Sequence, residues 1–139
     1  MRKTFPKHIK KKKLSRSDEI SIKDGKYSLN GRSWISKGNE TFLGYGRVVL
    51  LERIMKYGSI TKAAKSMAMS YRNAWELVDS INKQANKPLV DLYTGGKGGG
   101  GAVVTKYGEK SIALFWKLQK DFNDFFKQKK KELSVLYEK

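Results

Sequence analysis

A chain of 139 residues can hold one ordinary domain, and 39% hydrophobic residues keep it from being disordered by composition. No run approaches the roughly 18 apolar residues of a membrane span, and the absence of Cys excludes disulfides, thiolate metal ligands and a Cys nucleophile. The formal net charge of +17 calls for a polyanionic partner, nucleic acid before an anionic membrane surface.

The charge is spread along the chain, with a net +8 in residues 1–40 and +9 in residues 41–139. Residues 1–17 form a basic arm with a four-lysine run, Lys10 to Lys13, and little to bury. No apolar region follows Lys13, so the arm is not a signal peptide, and the chain is placed in the cytoplasm. The arm is expected to be disordered until it meets phosphate; it either tracks a phosphate backbone or is a solvated tail.

Residues 18–40 suggest a small β element: Ile20 and Ile22 alternate with polar neighbours, and Asp24-Gly25 is a turn dipeptide. Tyr27, Leu29, Trp34 and Ile35 predict two short strands around Asn30-Gly31, a dipeptide suited to a type I′ turn. After Gly44-Tyr45-Gly46 a helix is predicted from about Arg47 to Tyr57, with Val48, Leu51, Ile54 and Met55 on one stripe. Gly58 ends it in the left-handed region. Ser59 caps a second helix, Ile60 to about Met67, whose Ala63 and Ala64 allow a close crossing.

Met69-Ser70 forms the next turn, and Ser70 caps a third helix through about Gln84. Ala74, Leu77, Val78 and Ile81 give its buried stripe. Its first turns carry Tyr71, Arg72, Asn73, Trp75 and Glu76, residue types that stack, hydrogen-bond and pair with phosphate. Trp75 is alternatively partly core. Asn86-Lys87-Pro88 stops the helix. Leu89–Tyr93 then reads as a strand with Leu89, and Tyr93 beside it, inward, and Ala102–Val104 as its returning partner. Between them lies TGGKGGGG, Thr94 to Gly101, either a nearly bare wing tip or a plain flexible linker.

Thr105 caps a last helix with apolar residues at Ile112, Phe115, Leu118, Phe122, Phe125, Leu133 and Leu136. Its 3-4-3 spacing from Phe115 to Phe125 is that of a coiled-coil seam, for the domain core in part and for a second subunit in the rest. The tail from Lys127 is expected to thin out and fray. The order helix, helix, helix, hairpin makes the fold class mainly α with small β elements: a winged helix-turn-helix with a long C-terminal dimerisation helix. Its parts are an arm (1–17), the domain (18–126) and a basic helix end or frayed tail (127–139).

Catalysis finds few candidates. The single His, His8, lies in the arm, so no triad or imidazole-rich metal site can form. Asp121 and Asp124 sit among Lys120 and Lys127 and read as a surface ion-pair face. The glycine run is no P-loop, because Gly98 follows Lys97 where Ser or Thr is needed and a strand follows where a helix is needed. No enzyme activity, metal or cofactor is expected.

GSI-x-x-AAK, then MSY-x-x-AW-x-LVD, then TGGKGGGGA-x-x-T-x-x-G, in that order and spacing, resemble the N-terminal DNA-binding domain of the ModE-type, molybdate-responsive bacterial regulators. The resemblance covers roughly Leu29 to Phe126 and extends, more distantly, to LysR-type regulators. It implies a homodimer that binds palindromic double-stranded DNA. The helix from Ser70 would be the recognition helix, with Ser70, Tyr71, Arg72, Asn73 and Trp75 near DNA. The positioning helix would bring Ser59, Thr61, Lys62 and Lys65, and the wing, Tyr93 to Val103, would bring Thr94, Lys97, Gly98 and Gly99. The long last helix, with Phe115, Leu118, Phe122 and Phe125, and the first helix would help build the dimer. Full-length relatives of this type carry molybdate-binding domains after the last helix. The 139 residues leave no room for one, so the expectation is DNA binding without molybdate, or with a signal taken from a partner. Two alternatives stand beside it: a nonspecific nucleic-acid or nucleoid-associated protein, and a protein-interaction module using the C-terminal helix.

Overall fold

The computed structural model describes residues 19–23, 25–94 and 101–138. The basic arm and the tip of the glycine run, with Lys97, Gly98 and Gly99, lie outside them. The described chain is mostly helical, with small antiparallel sheets and a long C-terminal helix. In order it forms β1 (Ile20–Lys23), β2 (Ser28–Gly31), β3 (Ile35–Lys37), β4 (Glu40–Leu43), α1 (Tyr45–Tyr57), α2 (Ile60–Ser66), α3 (Tyr71–Gln84), β5 (Val90–Tyr93), β6 (Gly101–Val104) and α4 (Lys106–Tyr137). The strands pair as three separate hairpins, β1-β2, β3-β4 and β5-β6.

α1 is the buried centre, with Val48 to Leu51 and Ile54 all inside the core. It begins two residues earlier than the glycines suggested, with Gly44 as its extended N-cap. Gly58 closes it at φ 70°, a conformation that costs an L side chain and suits glycine. α2 lies against α1 through Ala63 and Ala64, both fully buried, so the two backbones approach closely. The α2–α3 turn runs through Ala68, which holds a left-handed φ of 51°. α3 buries Ala74, Val78 and Ile81, while Leu77 is half-buried.

Three helix starts are capped as the sequence indicates. Ser59 accepts the Lys62 N–H at 3.1 Å, Ser70 the Asn73 N–H at 3.1 Å and Thr105 the Gly108 N–H at 3.0 Å. Asn82 fixes the exit from α3. Its Oδ1 accepts the Leu89 and Val90 N–H groups at 2.9 and 3.2 Å, and its Nδ2 donates to the Val90 carbonyl at 2.9 Å. The returning strand is tied to the α1–α2 turn by the Ala102 N–H, which donates to the Gly58 carbonyl at 3.1 Å. These bonds set β5-β6 beside the start of α2.

The N-terminal β region differs from the sequence expectation. Asn30-Gly31 is not a turn but the end of β2, paired with Ser21 and Ile20. The first hairpin turns around Gly25, at φ 81°, where the sequence offers a turn dipeptide, and the second around Gly38, at φ 61°. Gly31 is needed for a close approach: the Phe126 ring of α4 lies against it where a Cβ would stand. The second hairpin is bound to α3. Arg47 donates to the Ser80 hydroxyl at 2.9 Å, which donates to Glu40 at 2.9 Å, and Lys37 donates to the Gln84 carbonyl at 3.0 Å. Burial lowers the Arg47 pKa from its ordinary value, against the raising influence of Glu40.

The tail takes the first of its two readings, a basic helix end, and not the frayed one. α4 does not thin out at Lys127 but runs to Tyr137 and carries the β1-β2 hairpin on its C-terminal half. Lys130 is buried there, donating to Ser134 at 2.9 Å and Glu138 at 2.8 Å. Glu138 in turn accepts the Tyr27 backbone N–H at 3.0 Å, and the Tyr27 and Tyr137 rings lie 5.3 Å apart.

Candidate nucleic-acid interface

The start of α3 is turned outward because its apolar stripe begins only at Ala74. Tyr71, Arg72, Asn73, Trp75 and Glu76 are all exposed, Tyr71 by 54% and Trp75 by 40%. Trp75 lies outside the buried core, with part of its surface covered. Thr61, Lys62 and Lys65 are exposed on α2. At the two helix starts, the hydroxyls of Ser59 and Ser70 are already hydrogen-bond acceptors for backbone N–H groups.

A cleft of about 380 Å³ opens where α2, α3 and β5-β6 meet. It brings together Ser59, Thr61, Tyr71, Trp75 and Thr94 of the candidate residues. Ser70, Arg72, Asn73, Lys62 and Lys65 do not line it. Arg72 reaches back along its own helix to Glu76, Nε to Oε1 3.2 Å, with both side chains largely in solvent. Such an exposed pair is weak, about 0–1 kcal/mol, and leaves the guanidinium free to exchange Glu76 for another acceptor.

Two cleft residues carry more than the sequence suggested. Tyr93 is not inward; it is 55% exposed, lies across Gly101 of the partner strand and lines the cleft with Leu92. A strand whose buried residue is Val90, next to Leu89, leaves Leu92 and Tyr93 outside. The signal was the Leu89-Val90 pair itself, which fills the inward space before Tyr93 is reached.

The seam on α4 also divides. Phe115 is 1% exposed and belongs to the core of this chain, packed edge-on to Trp116 with ring centroids 5.5 Å apart. It has no surface left for a second subunit, which corrects its assignment to a dimer face. Leu118 is half-buried, whereas Phe122 and Phe125 are exposed. Leu114, four residues before Leu118, is exposed with them and was missed, although its spacing marked it.

No family model matches the chain. Among curated proteins it is 45% identical over 69 residues to the DNA-binding transcriptional dual regulator ModE of Escherichia coli K12, covering 50% of this chain and 26% of that protein. It is 40% identical over 82 residues to the molybdenum transport protein ModE of Azotobacter vinelandii, 59% of this chain and 30% of that one. A third relative, the molybdenum-pterin-binding protein MopB of Rhodobacter capsulatus, is 45% identical over 73 residues, 52% and 27%. About half of this chain is similar to the N-terminal region of ModE-type proteins. The match spans only about a quarter to a third of the length of these ModE-type relatives. Among the described residues, no helix is long and apolar enough to cross a membrane.

Proposed function

We propose that this chain is a sequence-specific double-stranded DNA-binding transcriptional regulator built as a winged helix-turn-helix and acting as a homodimer. α2 is the positioning helix, α3 the recognition helix and β5-β6 the wing. α3 enters the major groove, where base edges are distinguishable, with Arg72 and Asn73 reaching bases or phosphates. Lys62, Lys65 and Lys97 neutralise phosphates without reading sequence. Phe122 and Phe125, with Leu118, face the second subunit, and the two recognition helices meet half-sites about 34 Å apart. The observation that carries this reading is the joint exposure of Tyr71, Arg72, Asn73 and Trp75 beside α2 and β5-β6, in a chain of net charge +17.

Selection of bound sequences from a random DNA pool, with and without molybdate, tests it. A palindrome enriched under both conditions supports a regulator that needs no molybdate. The charge favours a second reading, nonspecific nucleic-acid binding, and a pool that enriches nothing while still being retained selects that one.

A further inference from the structure

We infer that the cleft between α2, α3 and β5-β6 holds one sugar–phosphate strand of the duplex through uncharged groups. Hydroxyls meet the phosphate oxygens, and aromatic and aliphatic faces meet deoxyribose. The inference rests on the DNA-binding reading above and assigns a separate role to these side chains.

The cleft stands out by what surrounds it. Lys62, Lys65 and Arg72 lie exposed on the same two helices, yet among the described residues no charged side chain lines the cleft itself. Its polar groups are hydroxyls. Those of Thr61, Tyr71, Tyr93 and Thr94 have no hydrogen-bond partner among the described residues. Ser59 accepts the Lys62 N–H and keeps its own proton to donate. Phosphate oxygens only accept, so a row of unused hydroxyl donors matches them in chemistry. Trp75 and Leu92 supply exposed apolar surface between those donors.

Shape gives the same answer. Base edges lie at the floor of a groove and are reached by side chains that project. The convex feature of a duplex is its backbone ridge, and a concave cleft flanking a projecting helix is suited to that ridge. None of the described side chains that line the cleft is a cation, so their contacts release no counterion and their contribution does not fall with salt as lysine contacts do.

The test measures affinity across a salt series for two duplexes of equal length, one selected from a random pool and one of random sequence. Tyr71→Phe and Thr61→Val are compared with Lys62→Gln, all at exposed positions and checked for unchanged thermal unfolding. Tyr71→Phe and Thr61→Val should each weaken binding roughly 3- to 10-fold, equally on both duplexes and with the salt slope of the parent. Lys62→Gln should flatten the slope by about 0.9. Parental affinity in both cleft variants overturns the inference, as does a loss confined to the selected duplex, which would make the cleft a base reader. A parent chain that binds neither duplex overturns the DNA-binding reading itself.

Discussion

The carboxylate of Glu52 and the indole of Trp116, 64 residues apart, meet inside the core, with Trp116 Nε1 donating to Glu52 Oε2 at 2.9 Å. Glu52 is 3% exposed and lies on α1; Trp116 lies on α4, edge-on to Tyr45 at the start of α1, with centroids 5.8 Å apart. This buried bond ties α4 to α1 beside the core contacts of Ile112 and Phe115. Trp116→Phe keeps most of the ring volume but removes a donor from a buried carboxylate. It should lower unfolding free energy by about 1.5–3 kcal/mol, measured in urea; a loss within error would mean that the other interactions of Glu52 carry the site.

Gly31 and Phe126 make a second long-range pair. Gly31→Ala places a methyl where the ring lies and should cost about 1–3 kcal/mol by overpacking. In a Phe126→Leu background the same substitution should cost clearly less. Equal costs in both backgrounds would place the strain in the strand rather than against the ring.

Glu138 gives a pH dependence. Hydrogen bonds from Lys130, Ser134 and the Tyr27 backbone lower its pKa from the ordinary 4.5 to about 2. A depressed carboxylate pKa stabilises the fold fully above the unfolded value and loses that contribution as pH falls through the folded one. The clasp between β1-β2 and the end of α4 should therefore be intact above about pH 4.5 and loosen as pH falls toward 2. NMR titration of the Glu138 side chain checks this. Lys130→Met should move the midpoint up toward 4.5, and a parent midpoint already near 4.5 would contradict the clasp.

These three pairs also explain what the sequence could and could not reveal. Ser59, Ser70, Thr105 and Gly58 were legible because each acts within about four residues, where local spacing decides the outcome. Asn30-Gly31 misled because its glycine serves Phe126, 95 positions away, and not a turn. The basic stretch after Lys127 read as a fraying end because nothing local shows that Lys130 meets Glu138, or that Glu138 meets Tyr27. In the candidate site, the outward start of α3 followed from its apolar spacing. Tyr93 did not, because its side is set by the Leu89-Val90 contacts with the core.

The α4 seam shows the same limit. Its spacing could not separate Phe115, which the domain itself buries, from Phe122 and Phe125, which it leaves exposed. The proposed homodimer makes a direct prediction from that division. Phe122→Lys with Phe125→Lys should yield a folded monomer in sedimentation, while Phe115→Ala should cost about 3–5 kcal/mol of stability. A double-lysine variant that sediments as the parent does would remove this face from the dimer.

The central proposal is sequence-specific binding through the start of α3, and one measurement addresses it most directly. The affinity of the parent and of Arg72→Ala is measured for a selected duplex and for random-sequence DNA at physiological salt. The parent should prefer the selected duplex by at least about 10³-fold. Arg72→Ala should lose about 1–3 kcal/mol on the selected duplex and much less on random DNA. A parent ratio near one would contradict sequence-specific regulation and leave a nonspecific nucleic-acid-binding protein.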